Sequence, residues 1–140
     1  MQVVEIEKKS LLSTLETHKN AGFSVLMDLT ATDYVTHTEI LYFLHNPTSY
    51  ERLLVKTKVA RGETISTVIS LWEGANWYER ELWDMFGVEV TGHPDLTRIL
   101  MPDEWIGHPM RKDYPLTEEP VAFKHNVHPK IPSEIIPYVK

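Results

Sequence analysis

The sequence of 140 residues contains no cysteine. This absence excludes a disulfide framework, a thiolate zinc site, a cysteine nucleophile and a cysteine-held iron–sulfur cluster. Basic residues are also scarce: 14 Lys and Arg stand against 20 Asp and Glu, which gives a net charge of −6. Proteins that bind nucleic acid through phosphate contacts usually carry a basic excess, so the composition disfavours that class. Any redox chemistry would have to lie on a partner or on a bound organic cofactor.

Long apolar runs are absent as well. No segment approaches the roughly 20 apolar residues that cross a bilayer, and the charged first ten residues lack the apolar core of a signal peptide. We therefore expect a cytoplasmic location without direct membrane insertion. The six glycines are isolated and form neither a dinucleotide-binding nor a Walker pattern, and no serine lies in a G-x-S-x-G elbow.

Hydrophobic residues make up 42% of the chain, which is enough for one globular core. Apolar periodicity predicts one helix that follows Ser10 as its N-cap and a second that opens at Gly74–Asn76 and stops at Gly87. Asn76 and Glu79 have the spacing of a capping box, and the polar residues 30–33 are predicted to form a turn. The first helix is predicted over Leu11–Lys19. The predicted strands are Val3–Ile6, Phe23–Leu29, Glu39–His45, Glu51–Lys58 and Thr64–Ile69. This order predicts an α+β fold, a mainly antiparallel sheet with two helices on one side.

Eight of the nine prolines follow residue 93, and no helical or alternating period continues beyond residue 108. We therefore predict a globular domain over 1–108 and an extended C-terminal arm over 109–140. The arm remains rich in apolar residues, which disordered tails usually lack. Its net charge is +1, whereas residues 1–108 carry −7. We expect the arm to lie on a partner subunit; the alternative is an arm folded back on its own domain.

The second predicted helix carries the densest motif, Trp77–Gly87. Arg80 and Asp84 are four residues apart and are predicted to pair on one face. Two tryptophans among so many charges are typical of a protein interface, so Trp77 is a predicted docking residue. A solvated amphipathic face is the simpler alternative. A catalytic interpretation would use Glu81 and Asp84 as acid and base, and it is the least favoured of the three.

Seven histidines raise the question of a metal site. The tripeptide Gly-His-Pro occurs at residues 92–94 and again at 107–109, and His125 and His128 follow. These histidines lie beside prolines and lack the spacing of zinc ligands. We therefore expect no metal site, and imidazoles that bind backbone groups.

Three stretches in the second half carry a family resemblance: Glu79–Gly87 (ERELWDMFG), Gly92–Pro102 (GHPDLTRILMP) and Gly107–Leu116 (GHPMRKDYPL). Residues 26–34 and 72–78 fit the same pattern. The chain resembles the C subunit of bacterial NADH:quinone oxidoreductase, the complex I family called the NADH dehydrogenase 30 kDa subunit. Thr97 departs from the pattern, because a basic residue usually stands there.

The resemblance implies a component of the hydrophilic arm that has no active site and no cofactor of its own. The complex uses NADH, FMN, iron–sulfur clusters and quinone on other subunits, and the chain would bind the D subunit, the B subunit and other components of the hydrophilic arm. Its location would be peripheral, on the cytoplasmic side of the membrane. The positions that carry over, with structural and docking roles, are Glu79, Arg80, Glu81, Asp84, His93, Arg98, His108, Arg111, Lys112, Asp113 and Tyr114.

Two other functions stay open at this point. Membrane-bound nickel–iron hydrogenases and ferredoxin- or F420-dependent complexes carry similar subunits, so the same scaffold role is possible in a different complex. An independent small enzyme would use Glu81, Asp84 and His93, and would show turnover or bound metal in the isolated chain.

Overall fold

The computed structural model describes residues 1–116. A short 3-10 turn, Lys8–Ser10, precedes the first helix. The helices are α1 (Leu11–Asn20) and α2 (Ala75–Phe86), and the strands are β1 (Gln2–Ile6), β2 (Val25–Asp33), β3 (His37–His45), β4 (Arg52–Ala60), β5 (Thr64–Ser66) and β6 (Glu89–Thr91).

The main sheet has four strands in the order β1-β4-β3-β2. The pairs β2/β3 and β3/β4 are antiparallel, and β1 joins β4 in parallel. A second, parallel sheet of two short strands pairs β5 with β6. The predicted α+β fold with a mainly antiparallel sheet and two helices is thus confirmed.

The core lies on one face of the main sheet. Tyr42 sits between Leu29 of β2 and Val55 of β4 in the strand register, and all three side chains are buried. Alternate residues along each strand share this face because the side-chain period of a strand is two. Both helices bury side chains in the same core, through Leu11, Leu15, Ala75, Leu82 and Phe86. The helices therefore cover the sheet face that carries the apolar residues.

The predicted turn at residues 30–33 is wrong. Strand β2 continues through it, and Thr30 pairs with Leu41 while Asp33 pairs with Thr38 of β3. The reversal comes later, where Val35 has a φ of 71°. The polar composition of these residues was a poor guide, because a buried polar group can lie in a strand when it has hydrogen-bond partners. Thr38 and Arg61 donate to the buried carboxylate of Asp33.

The predicted helix caps also need correction. Ser10 precedes α1, but its hydroxyl donates backward to the carbonyl oxygen of Glu7 at 3.0 Å and caps no helical N–H. Asn76 lies inside α2, whose N-cap is Gly74, and Glu79 points into the core. The capping box is therefore absent. Strand β5 ends at Ser66 rather than residue 69, because Glu79 binds the chain at residues 67 and 68.

Gly87 ends α2 as predicted. Its φ is 72°, and its N–H donates to the carbonyl oxygen of Trp83 at 2.8 Å. A Cβ atom at this position would lie 2.6 Å from Cδ2 of His108. The glycine thus permits both the left-handed turn and the close approach of the imidazole.

Gly87→Ala should lower the free energy of unfolding by about 1–3 kcal/mol, because the left-handed backbone is strained with a side chain and His108 must move. Urea unfolding of the full chain measures the change. Gly74→Ala is the control, since a Cβ there would meet nothing within 4 Å and φ is −62°. Equal effects of the two substitutions would contradict the proposed contact.

The predicted arm begins within the described part and continues beyond it. Residues 117–140 lie outside the described residues, so the division into 1–108 and 109–140 stays a prediction.

Within residues 1–116, no helix has the length and apolar character needed to cross a membrane.

Candidate functional site

Asp84 is the centre of a hydrogen-bond cluster that joins α2 to the chain that follows β6. Its side chain is fully buried. One oxygen, Oδ1, accepts from Nη1 of Arg98 at 2.6 Å. The other, Oδ2, accepts the backbone N–H groups of residues 99, 100 and 101 at 3.1, 2.8 and 3.0 Å. Burial alone would raise the pKa of Asp84, but these hydrogen bonds outweigh it and hold the pKa below its ordinary value.

Arg98 extends the cluster along the returning chain. Its Nη2 donates to the carbonyl oxygens of Trp105 at 2.6 Å and Gly107 at 3.0 Å. The guanidinium carbon lies 5.4 Å from the ring centre of Trp83, within cation–π range. Asp84 and Arg98 together therefore fix residues 98–107 against α2.

The predicted ion pair between Arg80 and Asp84 is wrong. Arg80 instead donates to the carbonyl oxygens of Thr97 at 3.2 Å and Arg98 at 2.9 Å. Its guanidinium carbon also lies 5.1 Å from the ring centre of Trp77. Asp84 pairs with Arg98 instead of Arg80, because the chain that follows β6 returns over the helix and brings Arg98 to the carboxylate of Asp84.

The two Gly-His-Pro histidines bind backbone groups, as predicted. Nδ1 of His108 donates to the carbonyl oxygen of Asp84 at 3.0 Å. Burial holds the pKa of His108 below its ordinary value, although this bond to Asp84 opposes the shift. Nδ1 of His93 accepts the N–H of Asp95 at 3.0 Å, and Nε2 lies 3.2 Å from the carbonyl oxygen of Asn76. Both imidazoles therefore serve to hold loops on α2.

Glu79 links the inner side of α2 to the small sheet. Its Oε1 accepts the N–H of Val68 and its Oε2 accepts the hydroxyl of Thr67, both at 2.7 Å. Nε2 of His93, whose side chain is fully buried, lies 3.9 Å from Oε2. Burial raises the pKa of Glu79, although these partners oppose the rise. Glu79 is therefore a buried structural carboxylate.

The first residues of the predicted arm are bound to the domain. Arg111 donates to Asp113 through Nε at 3.0 Å and Nη2 at 2.8 Å, a two-bond pair. The N–H of Tyr114 donates to the carbonyl oxygen of Arg111 at 3.0 Å. Met110 N–H donates to the carbonyl oxygen of Met85 on α2 at 2.9 Å.

Asp33 provides a further anchor that the sequence did not reveal. Its Oδ2 accepts the N–H of Lys112 at 2.8 Å and Nη2 of Arg61 at 2.7 Å, and its Oδ1 accepts the hydroxyl of Thr38 at 3.3 Å. Burial would raise the pKa of Asp33, but these bonds hold it below its ordinary value. No spacing signal joins Asp33 to a residue 79 positions away.

Of the twelve predicted site residues, Glu79 and Asp84 are buried, three are exposed and the other seven are partly buried. Glu81, Lys112 and Trp77 are exposed, the last by 61%. In the chain that follows β6, the large apolar side chains of Leu100, Ile106 and Met110 are also exposed, by 61%, 52% and 56%. Asp84 is buried and bonded to four donors while Glu81 faces solvent, so the two do not form an acid–base pair. Among residues 1–116, no group of three or more His, Asp or Glu side chains is placed to hold a metal ion.

Comparison with known proteins shows which proteins the chain is similar to. A family model described as "Respiratory-chain NADH dehydrogenase, 30 Kd subunit" matches residues 4–120. The C subunit of NADH-quinone oxidoreductase from Geotalea uraniireducens is 45% identical over 98 residues. That match covers 67% of this chain and 60% of the relative, so the chain spans about three fifths of the relative's length.

Two further matches place similar chains in larger assemblies. The C/D subunit of NADH-quinone oxidoreductase from Bdellovibrio bacteriovorus is 40% identical over 116 residues, which cover 80% of this chain and 21% of that protein. A chain in the structure of the membrane-bound sulfane sulfur reductase, an archaeal respiratory membrane complex, superposes with a TM-score of 0.69 at 25% identity. The superposition covers 84% of this chain and 74% of that one.

Proposed function

Because the chain belongs to the respiratory-chain NADH dehydrogenase 30 kDa subunit family, we propose that it is a structural component of the hydrophilic arm of an NADH:quinone oxidoreductase. In this role it docks to the D subunit and supports the quinone-reduction module. The observation that carries the proposal is the segment of residues 98–107, which Asp84 and Arg98 fix against α2 while Leu100 and Ile106 within it, and Met110 after it, stay exposed. Preorganised apolar surface of this kind is typical of an interface.

The fused relative supports the D subunit as the partner. Its name joins the C and D subunits, and this chain matches only a fifth of it. Domains fused in one chain in some organisms commonly contact each other where they are separate. The B subunit and other components of the hydrophilic arm complete the assembly, which places the chain peripherally on the cytoplasmic side of the membrane.

Electron transfer belongs to the neighbouring subunits in this proposal. The complex uses NADH, FMN, iron–sulfur clusters and quinone, and this chain binds none of them. Absorbance spectra and metal analysis of the purified full chain test this point, because bound flavin or iron would contradict it. Glu81→Gln serves as a second test, since loss of any measured turnover would favour an independent enzyme.

Co-expression of the full chain with the D subunit encoded in the same genome tests the docking. We expect a stable one-to-one complex in size-exclusion chromatography. Separate elution of the two chains at micromolar concentration would overturn the proposal.

Truncation after Leu116 should weaken binding to the D subunit at least roughly tenfold, because residues 117–140 carry much of the apolar content of the predicted arm. Calorimetric titration measures the dissociation constant. This end point preserves the bond from Lys112 to Asp33, and truncation after His108 would remove it. An unchanged dissociation constant after the Leu116 truncation would contradict the role of the arm.

A second candidate places the same scaffold in a membrane-bound nickel–iron hydrogenase or a ferredoxin- or F420-dependent complex. The similarity to a chain of the sulfane sulfur reductase complex supports the general point that similar chains occur in respiratory membrane complexes of different activity. Purification of the endogenous complex separates the two. NADH oxidation coupled to quinone supports the first candidate, and hydrogen evolution or ferredoxin oxidation supports the second.

A further inference from the structure

Negative charge is concentrated in the second half of the described chain. Residues 73–110 carry eight acidic and two basic side chains, whereas residues 1–72 carry eight acidic and seven basic ones. Glu79 and Asp84 are buried, and the other six carboxylates are exposed. We call residues 73–110 the acidic layer. Its exposed carboxylates are Glu73, Glu81, Glu89, Asp95, Asp103 and Glu104.

Both arginines of the acidic layer are committed to internal contacts. Arg98 pairs with the buried Asp84, and Arg80 donates to two backbone carbonyl oxygens of the layer. Neither guanidinium is therefore placed to neutralise the exposed carboxylates. The acidic layer therefore keeps a net charge of −6, and an imbalance of this kind favours the approach of basic partners.

A groove opens in the acidic layer beside Trp83. Its volume is about 310 Å³, and its lining residues are Thr64, Trp83, Glu89, Val90, Thr91 and Leu96. This lining combines the indole of Trp83, the aliphatic side chains of Val90 and Leu96 and the carboxylate of Glu89. Such a combination is suited to binding a long cationic side chain. The apolar walls would cover its methylene stem, and Glu89 would face its charged head.

We propose that the acidic layer docks a basic, partly apolar segment of a partner protein in the complex, with a Lys or Arg side chain of that segment in the groove between Trp83 and Glu89. The exposed Leu100 and Ile106 supply the apolar part of the contact. Charge complementarity selects this occupant, since Glu89 lines the groove and the residues of the acidic layer carry a net charge of −6. The inference rests on the proposed role as an assembled subunit and specifies the chemistry of the partner surface.

Charge reversal in the full chain is the first test. The double variant Glu89→Lys and Glu104→Lys should weaken binding to the D subunit roughly tenfold at low salt, and the difference should shrink in high salt. The control reverses Glu7 and Glu16, which are exposed in the first half of the chain. Equal binding by the two double variants would overturn the inference while leaving the proposed docking to the D subunit intact.

Photo-crosslinking identifies the occupant without assuming which protein of the complex it is. p-Benzoylphenylalanine replaces Leu100 in the full chain, within its endogenous complex, and the control places it at the exposed Leu12 on α1. We expect position 100 to crosslink a peptide of another subunit with net positive charge. A net acidic peptide, a lipid or no product at position 100 would overturn the inference. A basic peptide from any protein other than the D subunit would show that the basic segment does not come from the D subunit, which overturns the contact that the charge reversal tests.

Discussion

Asp84→Ala should lower the free energy of unfolding by about 3–5 kcal/mol, the usual cost of breaking a buried ion pair. The substitution removes the acceptor for Arg98 and for three consecutive backbone N–H groups. Arg98 would stay largely buried without its carboxylate, since its side chain is only 8% exposed. Urea unfolding of the full chain, followed by tryptophan fluorescence, measures the loss.

Two variants make the Asp84 result specific. Glu81→Ala changes an exposed carboxylate on the same helix, so the free energy of unfolding should change by no more than about 0.5 kcal/mol. Asp84→Asn keeps the shape but loses the charge, and we expect an intermediate effect. If Asp84→Ala behaved like Glu81→Ala, the hydrogen-bond cluster would not organise residues 98–107.

The direction of the Asp84 pKa shift adds a pH signature. Because its folded-state pKa is lowered, Asp84 contributes stability above its ordinary pKa, and that contribution is lost as pH falls through the lowered value. Acidification should therefore destabilise the wild-type chain more than Asp84→Asn. Unfolding curves across the acidic range provide the measurement.

Periodicity was enough to predict most of the fold. Strand β4 and helix α2 repeat their apolar residues at the periods of a strand and a helix, and strand β3 contains the continuous apolar run 40–44. The structure places alternate residues of β3 and β4 and one face of α2 in the core. Local polarity was a poorer guide. Residues 30–33 look like a turn, yet they form a strand because β3 and Arg61 satisfy their polar groups.

The candidate site was predicted less completely, for a physical reason. The Gly-His-Pro motifs predicted imidazoles bound to backbone, and both histidines are so bound. The partner of Asp84 could not be read from helical spacing, because it lies 14 residues away on the returning chain. Long-range partners depend on how the loop packs, and spacing along one helix carries no information about that path.

Glu79→Ala should lower the free energy of unfolding by about 2–4 kcal/mol. It leaves the buried N–H of Val68 and the hydroxyl of Thr67 without their acceptor, and each unsatisfied group costs about 1–3 kcal/mol. Glu73→Ala is the control, because Glu73 is exposed just before α2. Similar losses in the two variants would contradict the structural role of Glu79.

The stabilising contribution of Glu79 depends on pH with the opposite sign to that of Asp84, and this difference distinguishes the two carboxylates in an experiment. Burial raises the pKa of Glu79, so its stabilising contribution is complete below the ordinary Glu value of about 4.3 and is lost as pH rises through the raised value. Glu79→Gln keeps an uncharged group of the same shape and should remove this decline. The wild-type chain should therefore lose stability relative to Glu79→Gln as pH rises above about 4.3, whereas it should lose stability relative to Asp84→Asn as pH falls. A wild-type chain and a Glu79→Gln variant with parallel stability curves would show that Glu79 is ionised in the folded protein as readily as in the unfolded chain.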